Sequence, residues 1–530
     1  MRKLFGISSL SMVVLCALLP VLPVFSQTAS PACLKDNDPT RLFNCAKKLQ
    51  AAGQFAQAVQ AMGKAVTKNS TAANWKLLSD LAVQAEDYVV ACSASRKAAD
   101  LYDRIDVNAA TVLRNTRAQY CQVITVSSLE PAGAPPANLA KFEPANGLML
   151  GLSTFPTELP SSGELPSVKA LGGSLAVYFT YYPLRQSSSG PGVFPSKLAA
   201  AVKAVGAALH IALEPKMPLS KVNEAALEPF AQAAAVSGVP IFLRFAGEFN
   251  DRFAPWSGNP KLYVQKFRLV HDVMAKLAPN VAMVWMPMAT QTDCVKEYYP
   301  GKEFVDWVGV SLYSVPFPNG DTKYPSEPIS PLEQLEKLYG CYAGSHPFQV
   351  SEYAASSANS GFTGMNFEGF SKRKLEDLYW GAALRFPRLK NINWLNLNLD
   401  DINEVLEKSV TRQNDYRLLE VPVKLEAFKR IMDNPYFLKS FGQAAPVQSK
   451  PFASQVAFGT ALQISVYART LKPVTRVEFV LDGKKLGESS SVPYAFTLPS
   501  SLARGLHQLE VRAMNGSKLA VSQIQAFTIK

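Results

Sequence analysis

Two glutamates, Glu248 and Glu352, are the residues of this sequence whose type and surroundings best suit acid–base chemistry. Glu248 follows an apolar run at residues 239–245, and Glu352 closes a second run at residues 347–353. Apolar runs bounded by turn residues and followed by helical spacing are typical of buried parallel strands. The carboxyl ends of such strands lie at one face, where barrel enzymes place their chemistry. Two carboxylates about 5 Å apart at that face are what retaining glycoside hydrolysis needs, one as nucleophile and one as acid and then base.

Further polar and aromatic side chains fall near the same predicted strand ends. Arg244 and Asn250 lie on either side of Glu248, within reach of a bound substrate. Tyr313 closes another apolar run, and its hydroxyl could hydrogen-bond the nucleophile and keep it ionised. Tryptophans offer flat faces for sugar rings, and three are expected to line the site: Trp256, Trp285 and Trp394.

Between residues 144 and 440, short apolar runs alternate with stretches of helical spacing. Strands are predicted at residues 147–153, 174–182, 207–213, 239–245, 281–287, 305–313, 347–353 and 392–398. Helices are predicted at residues 195–206, 223–237, 261–277, 331–342, 371–386 and 423–434. Eight strands with helical returns predict a (β/α)₈ barrel. An open doubly wound sheet is the alternative, which the lack of a glycine-rich phosphate motif after any strand disfavours. Trp307 lies within a strand and is expected in the core, whereas Glu214 is either a third carboxylate of the mouth or a helix-start charge.

The chain ahead of this region divides into a helical segment and a linker. Residues 31–125 are rich in alanine with helical apolar spacing, and Phe55 with its small neighbours recurs as Tyr88, 33 residues later. A repeat of about 34 residues resembles the tetratricopeptide pattern, in which stacked helix pairs form a docking surface for a protein partner. A plain helical bundle that serves as a spacer is the alternative. Residues 126–143, rich in proline and alanine, are predicted to be a linker.

The C-terminal segment, residues 450–530, has the pattern of short β-strands. Residues 477–487 alternate and turn at Asp482 and Gly483, a strong hairpin signal. Further alternating runs follow, so the segment predicts a small all-β sandwich. It resembles the immunoglobulin-like modules of secreted bacterial hydrolases, and the alternatives for its role are a spacer and a carbohydrate-binding module.

The N-terminus and the cysteines indicate an exported protein. Arg2 and Lys3 precede a short apolar run, which predicts a secretory signal peptide over residues 1–26 rather than a membrane span. Six of the seven cysteines remain after its removal and fall into local pairs that could form disulfides: Cys33/Cys45, Cys92/Cys121 and Cys294/Cys341. The expected location is secreted or periplasmic, in a bacterium.

The composition argues against several classes of function. The formal charge is +12, but the basic residues are spread along the chain without interleaved aromatics, so we expect no nucleic-acid partner. The 4 histidines are scattered and no C-x-x-C motif occurs, so neither a metal site nor another cofactor is expected. The basic balance can favour acidic polymers near the cell envelope.

The predicted strand ends, taken together, resemble those of glycoside hydrolase family 26. The motifs are R-F-A-G-E-F-N-D-R-F-A-P-W at residues 244–256, A-P-N-V-A-M-V-W-M-P at 278–287, Y-Y-P-G-K-E-F-V-D-W-V-G-V-S-L-Y at 298–313 and V-S-E-Y at 350–353. The resemblance implies a barrel over about residues 145–435. It also implies an activity that in this family is mainly endo-β-1,4-mannanase, with some lichenases and xylanases.

The resemblance implies a role for each matching residue. Glu248 would be the acid/base, Glu352 the nucleophile and Tyr313 the hydrogen-bond partner of the nucleophile. Trp256 and Trp394 would be the aromatic residues of the sugar site.

One position departs from the family pattern, because Gly247 stands where a histidine usually precedes the acid/base. Loss of that imidazole bears on the choice of substrate more than on the reaction class. We therefore predict a secreted retaining endo-β-glycosidase acting on β-1,4-mannan, mixed-linkage β-glucan or a bacterial exopolysaccharide. The alternative is a non-catalytic polysaccharide-binding or exopolysaccharide-biosynthesis accessory protein, with the helical repeat as its working part.

Overall fold

The computed structural model describes residues 31–106, 109–110, 113, 120–154, 163–185, 193–289, 294–323, 325–402 and 413–530. The predicted signal peptide, residues 1–26, lies outside the described residues. The chain divides into two compact units between Ser70 and Thr71. Within the described part of the chain, no helix is both long and apolar enough to cross a membrane.

The N-terminal region is helical, as predicted. Its helices are α1 (Pro39–Ala51), α2 (Phe55–Lys68), α3 (Ala72–Gln84) and α4 (Tyr88–Tyr102). Phe55 and Tyr88, the aromatic residues of the sequence repeat, begin α2 and α4. Just ahead of them, Gly53 and Glu86 both have a left-handed backbone, with φ of 71° and 56°. Each helix pair also buries alanines at matching positions: Ala58 and Ala65 in the first, Ala91 and Ala98 in the second.

The strands of the described residues follow in chain order. They are β1 (Val123–Pro131), β2 (Leu148–Ser153), β3 (Val177–Leu184), β4 (Ala208–Pro215), β5 (Ile241–Phe245), β6 (Val281–Trp285), β7 (Trp307–Ser314), β8 (Phe348–Ala355), β9 (Ala358–Asn359), β10 (Leu389–Trp394), β11 (Asn414–Asp415), β12 (Phe437–Leu438), β13 (Val447–Pro451), β14 (Gln455–Val456), β15 (Leu462–Arg469), β16 (Arg476–Leu481), β17 (Lys484–Ser489), β18 (Tyr494–Leu498), β19 (Gly505–Asn515) and β20 (Lys518–Ile529). The helices after α4 are α5 (Pro166–Leu171), α6 (Ser196–Ala204), α7 (Glu224–Ser237), α8 (Pro260–Leu277), α9 (Pro331–Tyr342), α10 (Glu368–Arg385) and α11 (Pro422–Asp433).

The middle of the chain is a closed barrel of eight parallel strands. Strands β2 to β8 pair in chain order, β10 joins β8, and β10 pairs back onto β2. Closure excludes the open doubly wound sheet, because such a sheet keeps two free edges. Each predicted barrel strand and helix is present with shifted ends, and α5 is a short helix that the sequence analysis missed.

Side chains alternate between the barrel interior and the surrounding helices. On β5, Leu243 and Phe245 belong to the apolar layer between strands and helices, whereas Phe242 and Arg244 point inward. Phe242 packs edge-to-face against Trp307 at the floor of the barrel, with ring centroids 5.1 Å apart. Trp307 is fully buried there, which agrees with the expected core position. The floor is therefore apolar, and the polar residues of the interior lie above it.

The C-terminal strands form the predicted two-sheet sandwich. One sheet has the order β13-β1-β15-β18, and the other has the order β14-β20-β19-β16-β17. Their facing side chains share one apolar core that includes Val466, Phe479 and Val511.

Strand β1 corrects the prediction that residues 126–143 form a linker. It lies inside the first sheet of the sandwich, antiparallel to β13 on one side and to β15 on the other. Ile124 and Val126 are buried in the sandwich core. The proline and serine residues of this segment suggest a linker locally, but its pairing partners lie more than three hundred positions further along the chain.

The sandwich also contacts the barrel helices through buried polar groups. The ring of Tyr467 packs on Gly381 of α10, where a Cβ would lie 2.7 Å from the ring, and its hydroxyl is 3.2 Å from Oγ of Ser330. Arg469 forms an ion pair with Glu333 of α9, and both side chains are less than a tenth exposed. Burial raises the pKa of Glu333 to about 7, although the positive charge of Arg469 acts to lower it.

We expect the melting temperature of Glu333→Gln, taken relative to that of the native chain, to increase as the pH rises. The carboxyl has a pKa of about 7 in the folded protein and an ordinary value of 4.5 in the unfolded chain. The folded state therefore binds more protons between these values and loses stability as the pH rises through them. The native chain loses about 3 kcal/mol of its free energy of unfolding in this way. The Glu333→Gln variant does not lose it, because glutamine does not titrate.

Melting temperatures measured from about pH 5 to about pH 8 test this linkage. Glu336→Gln, on the same helix but with its carboxylate 37% exposed, is the matched control for the loss of an acidic side chain. If the melting-temperature difference between Glu333→Gln and the native chain stays constant or shrinks as the pH rises, the raised pKa of Glu333 is contradicted.

Candidate active site

Strand β8 carries Glu352 at a bulge that turns its side chain into the barrel. Between β7 and β8 the pairing runs from Val310 opposite Val350 to Ser311 opposite Glu352, so Ser351 is the extra residue. The pairing of β8 with β10 shows the same shift. With strict alternation, adjacent residues face opposite sides of a strand. The bulge lets Ser351 and Glu352 both face the interior.

Two donors bind Glu352 inside the barrel. Nη1 of Arg244 donates to Oε2 of Glu352 at 3.0 Å, and the hydroxyl of Tyr181 on β3 donates to the same oxygen. Burial acts to lower the pKa of Arg244, but Glu352, Tyr181 and Glu248 together outweigh burial and the pKa rises. Burial and the charge of Glu352 raise the pKa of Tyr181 well above its ordinary value. A permanent cation and a phenol donor both favour an ionised carboxylate, the state that a nucleophile needs.

Glu248 lies on the turn after β5, in a strained stretch of backbone. Ala246 and Glu248 have φ of 45° and 58°, in the left-handed region. Such a conformation costs a non-glycine residue about 1 kcal/mol or more and clusters at functional sites. The turn is held by the N–H of Glu248, which donates to the carbonyl of Met286 at 2.8 Å. Oε1 of Glu248 accepts a hydrogen bond from the hydroxyl of Ser311 on β7.

The surroundings of Glu248 favour its neutral form. Burial raises the pKa of Glu248, and the negative charge of Glu352 raises it further. The charge of Arg244 and the hydrogen bond from Ser311 act in the opposite direction, and the net pKa is raised. Glu248 in its neutral form can donate a proton, and it lies beside the Glu352 carboxylate, which Arg244 and Tyr181 bind. This arrangement is suited to acid-assisted bond cleavage.

A buried polar network beneath Glu352 supports the bulge. Nδ2 of Asn393 donates to the carbonyl of Ser351 at 3.3 Å, and Nε2 of Gln349 donates to Oγ of Ser351 at 2.9 Å. The amide of Asn393 fills the space beside Gly151, where a Cβ would collide with its oxygen. The network therefore depends on Gly151, which lies on the neighbouring strand β2 opposite Asn393.

His210 completes this network as a neutral acceptor. Its Nδ1 lies 3.0 Å from Nδ2 of Asn393. Burial and the positive charge of Arg244 lower the pKa of His210 well below its ordinary value. The network was not predicted from the sequence, and its one local signal is the alternation of Asn391 and Asn393 with Ile392 and Trp394. Among the described residues, no cluster of three or more histidine, cysteine or acidic side chains is suited to hold a metal ion.

Two stretches of the chain match known family models. Residues 218–324 match glycosyl hydrolase family 26, and residues 450–511 match a bacterial Ig domain. The first match contains Glu248, its strained turn and the strand that carries Ser311. Residues 218–324 of the barrel are therefore similar to glycoside hydrolase family 26. The C-terminal match coincides with the sandwich.

Two curated relatives share a segment with this chain. The β-1,3-xylanase TXYA of Vibrio sp is 35% identical over 81 residues, which are 14% of this chain and 17% of that enzyme. The β-1,3-xylanase of Alcaligenes sp is 32% identical over 81 residues, again 14% of this chain and 17% of that enzyme. The chain thus matches about a sixth of the length of these relatives.

Solved structures of the same family are similar at low identity. The GH26 β-mannanase from Bacteroides ovatus is 13% identical, with 57% of this chain and 92% of that chain covered and a TM-score of 0.39. GH26C from Muricauda sp. is 12% identical, with 57% and 89% covered and a TM-score of 0.40. At these TM-scores the two structures add no weight to the family assignment.

The structure of the barrel changes which tyrosine contacts Glu352. The sequence analysis assigned that contact to Tyr313, but the hydroxyl that reaches Glu352 belongs to Tyr181. Tyr313 instead packs its ring against Tyr416, with centroids 5.7 Å apart. Tyr181 escaped notice because β3 has several tyrosines, and only the barrel geometry shows that this one faces the interior.

Two polar residues predicted to touch substrate are engaged by other groups of the barrel itself. Arg244 is committed to Glu352 at 3.0 Å and is 5% exposed. Both polar atoms of the Asn250 side chain bond the main chain of Met288, at 3.1 Å and 2.8 Å. These side chains are thus engaged with protein groups, and direct substrate contact by them stays a prediction.

Two of the three predicted sugar-binding tryptophans are buried outside the barrel interior. Trp285 and Trp394 are fully buried in the layer between strands and helices, each with its Nε1 bonded to a main-chain carbonyl. The ammonium group of Lys424 lies 5.4 Å from the ring centroid of Trp394. No face of either ring is open to a sugar. Trp256 is half-buried beside the turn that carries Glu248, where its Nε1 donates to the carbonyl of Gly247 at 2.8 Å, and it stays a candidate.

The geometry gives a physical reason for Gly247 at the position of the family histidine. A Cβ at Gly247 would lie 3.1 Å from Nε of Arg244 and 3.1 Å from Cε of Met286. These distances are tighter than ordinary contacts, so a larger residue would press on the guanidinium that binds Glu352. Because glycine has no Cβ, it leaves the guanidinium of Arg244 room to bind Glu352.

We expect Tyr181→Phe to lower kcat/KM about ten- to a hundredfold, because it removes a hydrogen bond to an ionised carboxylate. Tyr313→Phe is the matched control, since it removes the same hydroxyl from the position that the sequence alone favours. We expect it to lower kcat/KM by less than about threefold. Initial rates on the β-glycan that the enzyme cleaves fastest measure both. A larger loss for Tyr313→Phe than for Tyr181→Phe would contradict the contact seen in the structure.

Proposed function

We propose that this protein is a secreted retaining endo-β-glycosidase, with Glu352 as nucleophile and Glu248 as acid/base. One observation carries the proposal: two carboxyl groups at one barrel mouth have opposite environments. Arg244 and Tyr181 donate to Glu352, whereas burial and a neighbouring negative charge raise the pKa of Glu248. Opposite protonation states at one site are the requirement of a double-displacement glycosidase.

The proposed reaction has two steps that balance in protons and bonds. In the first, Oε of Glu352 attacks the anomeric carbon, the glycosidic C–O bond breaks, and Glu248 gives its proton to the leaving oxygen. In the second, water attacks the same carbon and gives a proton to Glu248 while the bond to Glu352 breaks. Glu248 then holds its proton again, and the product keeps its anomeric configuration.

The substrate class follows from the family and its named members. The two curated relatives above are described as β-1,3-xylanases. We therefore propose a β-linked polysaccharide and a panel of β-1,3-xylan, β-1,4-mannan, mixed-linkage β-glucan and bacterial exopolysaccharides. Release of new reducing ends identifies the substrate. Binding to one polymer without release of ends from any would favour the alternative of a non-catalytic accessory protein.

Export is part of the proposal and is supported by the cysteines. The three pairs expected from the sequence are disulfides in the structure: Cys33–Cys45, Cys92–Cys121 and Cys294–Cys341. Their Cα separations are 5.9, 4.8 and 6.0 Å, within the range of natural disulfides. Disulfides persist in oxidising compartments. With the predicted signal peptide, they support a periplasmic or extracellular location.

We expect the two glutamates to fail differently when each is removed. Glu248→Ala lacks the proton donor, so turnover of an unactivated polymer should fall about 10²- to 10⁴-fold. A dinitrophenyl glycoside needs little protonation and should still form the covalent intermediate, which azide then attacks without help from a base. Added azide should therefore restore turnover and give the glycosyl azide with retained configuration. NMR of the product anomers measures the outcome.

Glu352→Ala supplies the matched comparison. Without a nucleophile no glycosyl-enzyme forms, so any product made with azide should have inverted configuration. A retained azide product from Glu352→Ala and an inverted one from Glu248→Ala would reverse the two roles. Unchanged turnover of the polymer in both variants would remove both residues from the mechanism.

We further expect Phe253→Ala to weaken the action on long polymers more than on short aryl glycosides. Phe253 follows the acid/base turn and is 77% exposed, yet its N–H is fixed by Oδ1 of Asp251 at 3.0 Å and Arg252 stacks 4.7 Å from its ring. A fixed, exposed ring on the leaving-group side is suited to stack on a sugar of the aglycone.

The loss of stacking should lower kcat/KM on the polymer about three- to tenfold. Phe458→Ala, which removes a 52% exposed ring from the sandwich, is the control for losing a surface aromatic. Equal losses on the polymer and on an aryl glycoside that lacks aglycone sugars would contradict an aglycone subsite at Phe253.

A further inference from the structure

Ser311 is the one described residue whose side chain hydrogen-bonds the carboxyl of Glu248. Its hydroxyl donates to Oε1, and Ser311 is itself 5% exposed. Among the described residues, no donor reaches Oε2 of Glu248. The two oxygens of this carboxyl are therefore inequivalent, because one is bound by the protein and the other is left for chemistry.

We propose that Ser311 is a positioning residue that assigns the transferable proton of Glu248 to Oε2. This inference rests on the proposed role of Glu248 as acid/base. A serine hydroxyl has one proton, and here that proton is donated to Oε1. A neutral carboxyl that accepts at Oε1 carries its own proton on Oε2. Oε2 is thus the atom that protonates the leaving oxygen and later takes a proton from water.

Main-chain contacts hold Ser311 and Glu248 in this arrangement. Ser311 pairs with Met288 in an isolated parallel bridge, which extends β6 beside β7. Met288 is bound in turn by both polar atoms of Asn250, two residues after Glu248. The N–H of Glu248 donates to Met286 at 2.8 Å. The strained turn, the end of β6 and the middle of β7 are thus tied together, so the backbones that carry the Ser311 hydroxyl and the Glu248 carboxyl are held next to each other.

The hydrogen bond also sets how firmly Glu248 keeps its proton. The charged groups that act on Glu248 are Glu352 on β8, Arg244 on β5 and Asp251 on its own loop. Burial, Glu352 and Asp251 raise the pKa of Glu248, whereas Arg244 and the Ser311 hydroxyl lower it. A donor to the charged form lets the same residue release its proton in the first step and accept one in the second.

The test compares three variants on the cleaved β-glycan across pH. Ser311→Ala removes the donor, and we expect kcat/KM to fall about ten- to a hundredfold. The basic limb of its pH profile should move to higher pH, because the charged form of Glu248 loses its donor. Ser311→Thr keeps the hydroxyl and should return both the rate and the basic limb towards the native values.

Ser314→Ala is the matched control on the same strand. Ser314 is also buried, but its Oγ lies 3.2 Å from the hydroxyl of Tyr353 and does not contact Glu248. Its loss should change the melting temperature and leave the basic limb in place. Equal basic limbs in Ser311→Ala, Ser314→Ala and the native protein would show that Ser311 is only structural and would overturn the proposal.

A readout without turnover separates this proposal from the proposed function. The Glu248 carboxyl is titrated by NMR in protein labelled with carbon-13 at the side-chain carboxyl carbon of glutamate, and Glu248→Gln assigns the signal. We expect the midpoint to rise in Ser311→Ala and to return towards the native value in Ser311→Thr. A native protein that cleaves no polymer but shows this shift would refute the glycosidase and keep the Ser311 contact. Unchanged midpoints would refute the Ser311 assignment even in an active enzyme.

Discussion

The buried ion pair between Arg244 and Glu352 is the interaction on which the site depends. A lone charge in the barrel would cost several kcal/mol, and removing one member of a buried pair costs about 3–5 kcal/mol. The pair is 3.0 Å apart, with both side chains less than a tenth exposed. Three features of the surrounding structure support the pair. The bulge in β8 points the carboxylate into the barrel, Gly247 leaves room for the guanidinium, and Tyr181 adds a second hydrogen-bond donor.

Along the axis of this barrel, the interior side chains change from apolar at the floor to polar towards the mouth. A (β/α)₈ barrel usually fills its interior with branched apolar side chains, whereas here the aromatic rings of Phe242 and Trp307 close the floor. Above them, Asn393 and His210 form hydrogen bonds that support the bulge at Ser351. A buried polar network is favourable only when its members are satisfied, so the small residues that make space for it matter as much as the polar ones.

The sandwich is part of the same structural body as the barrel rather than a module on a flexible tether. Its first sheet takes β1 from the segment ahead of the barrel and β13 from the segment after it, so both connections of the barrel end in one sheet. The buried pair of Glu333 and Arg469 adds a polar contact at the junction. A module held in this way keeps a constant orientation to the barrel mouth, unlike a spacer that moves freely.

Apolar periodicity in the sequence was sufficient to predict the longer helices, the eight barrel strands, the C-terminal strands of the sandwich and the general position of Glu248 and Glu352. These features are local, because strand and helix periods are properties of neighbouring residues. The roles of Tyr181 and Tyr313, and the outward position of Trp394, were decided by the tertiary structure. A single extra residue reverses which side of a strand faces the interior, and no local pattern marks the bulge at Ser351. Only closure of the barrel determines which side chains meet across it.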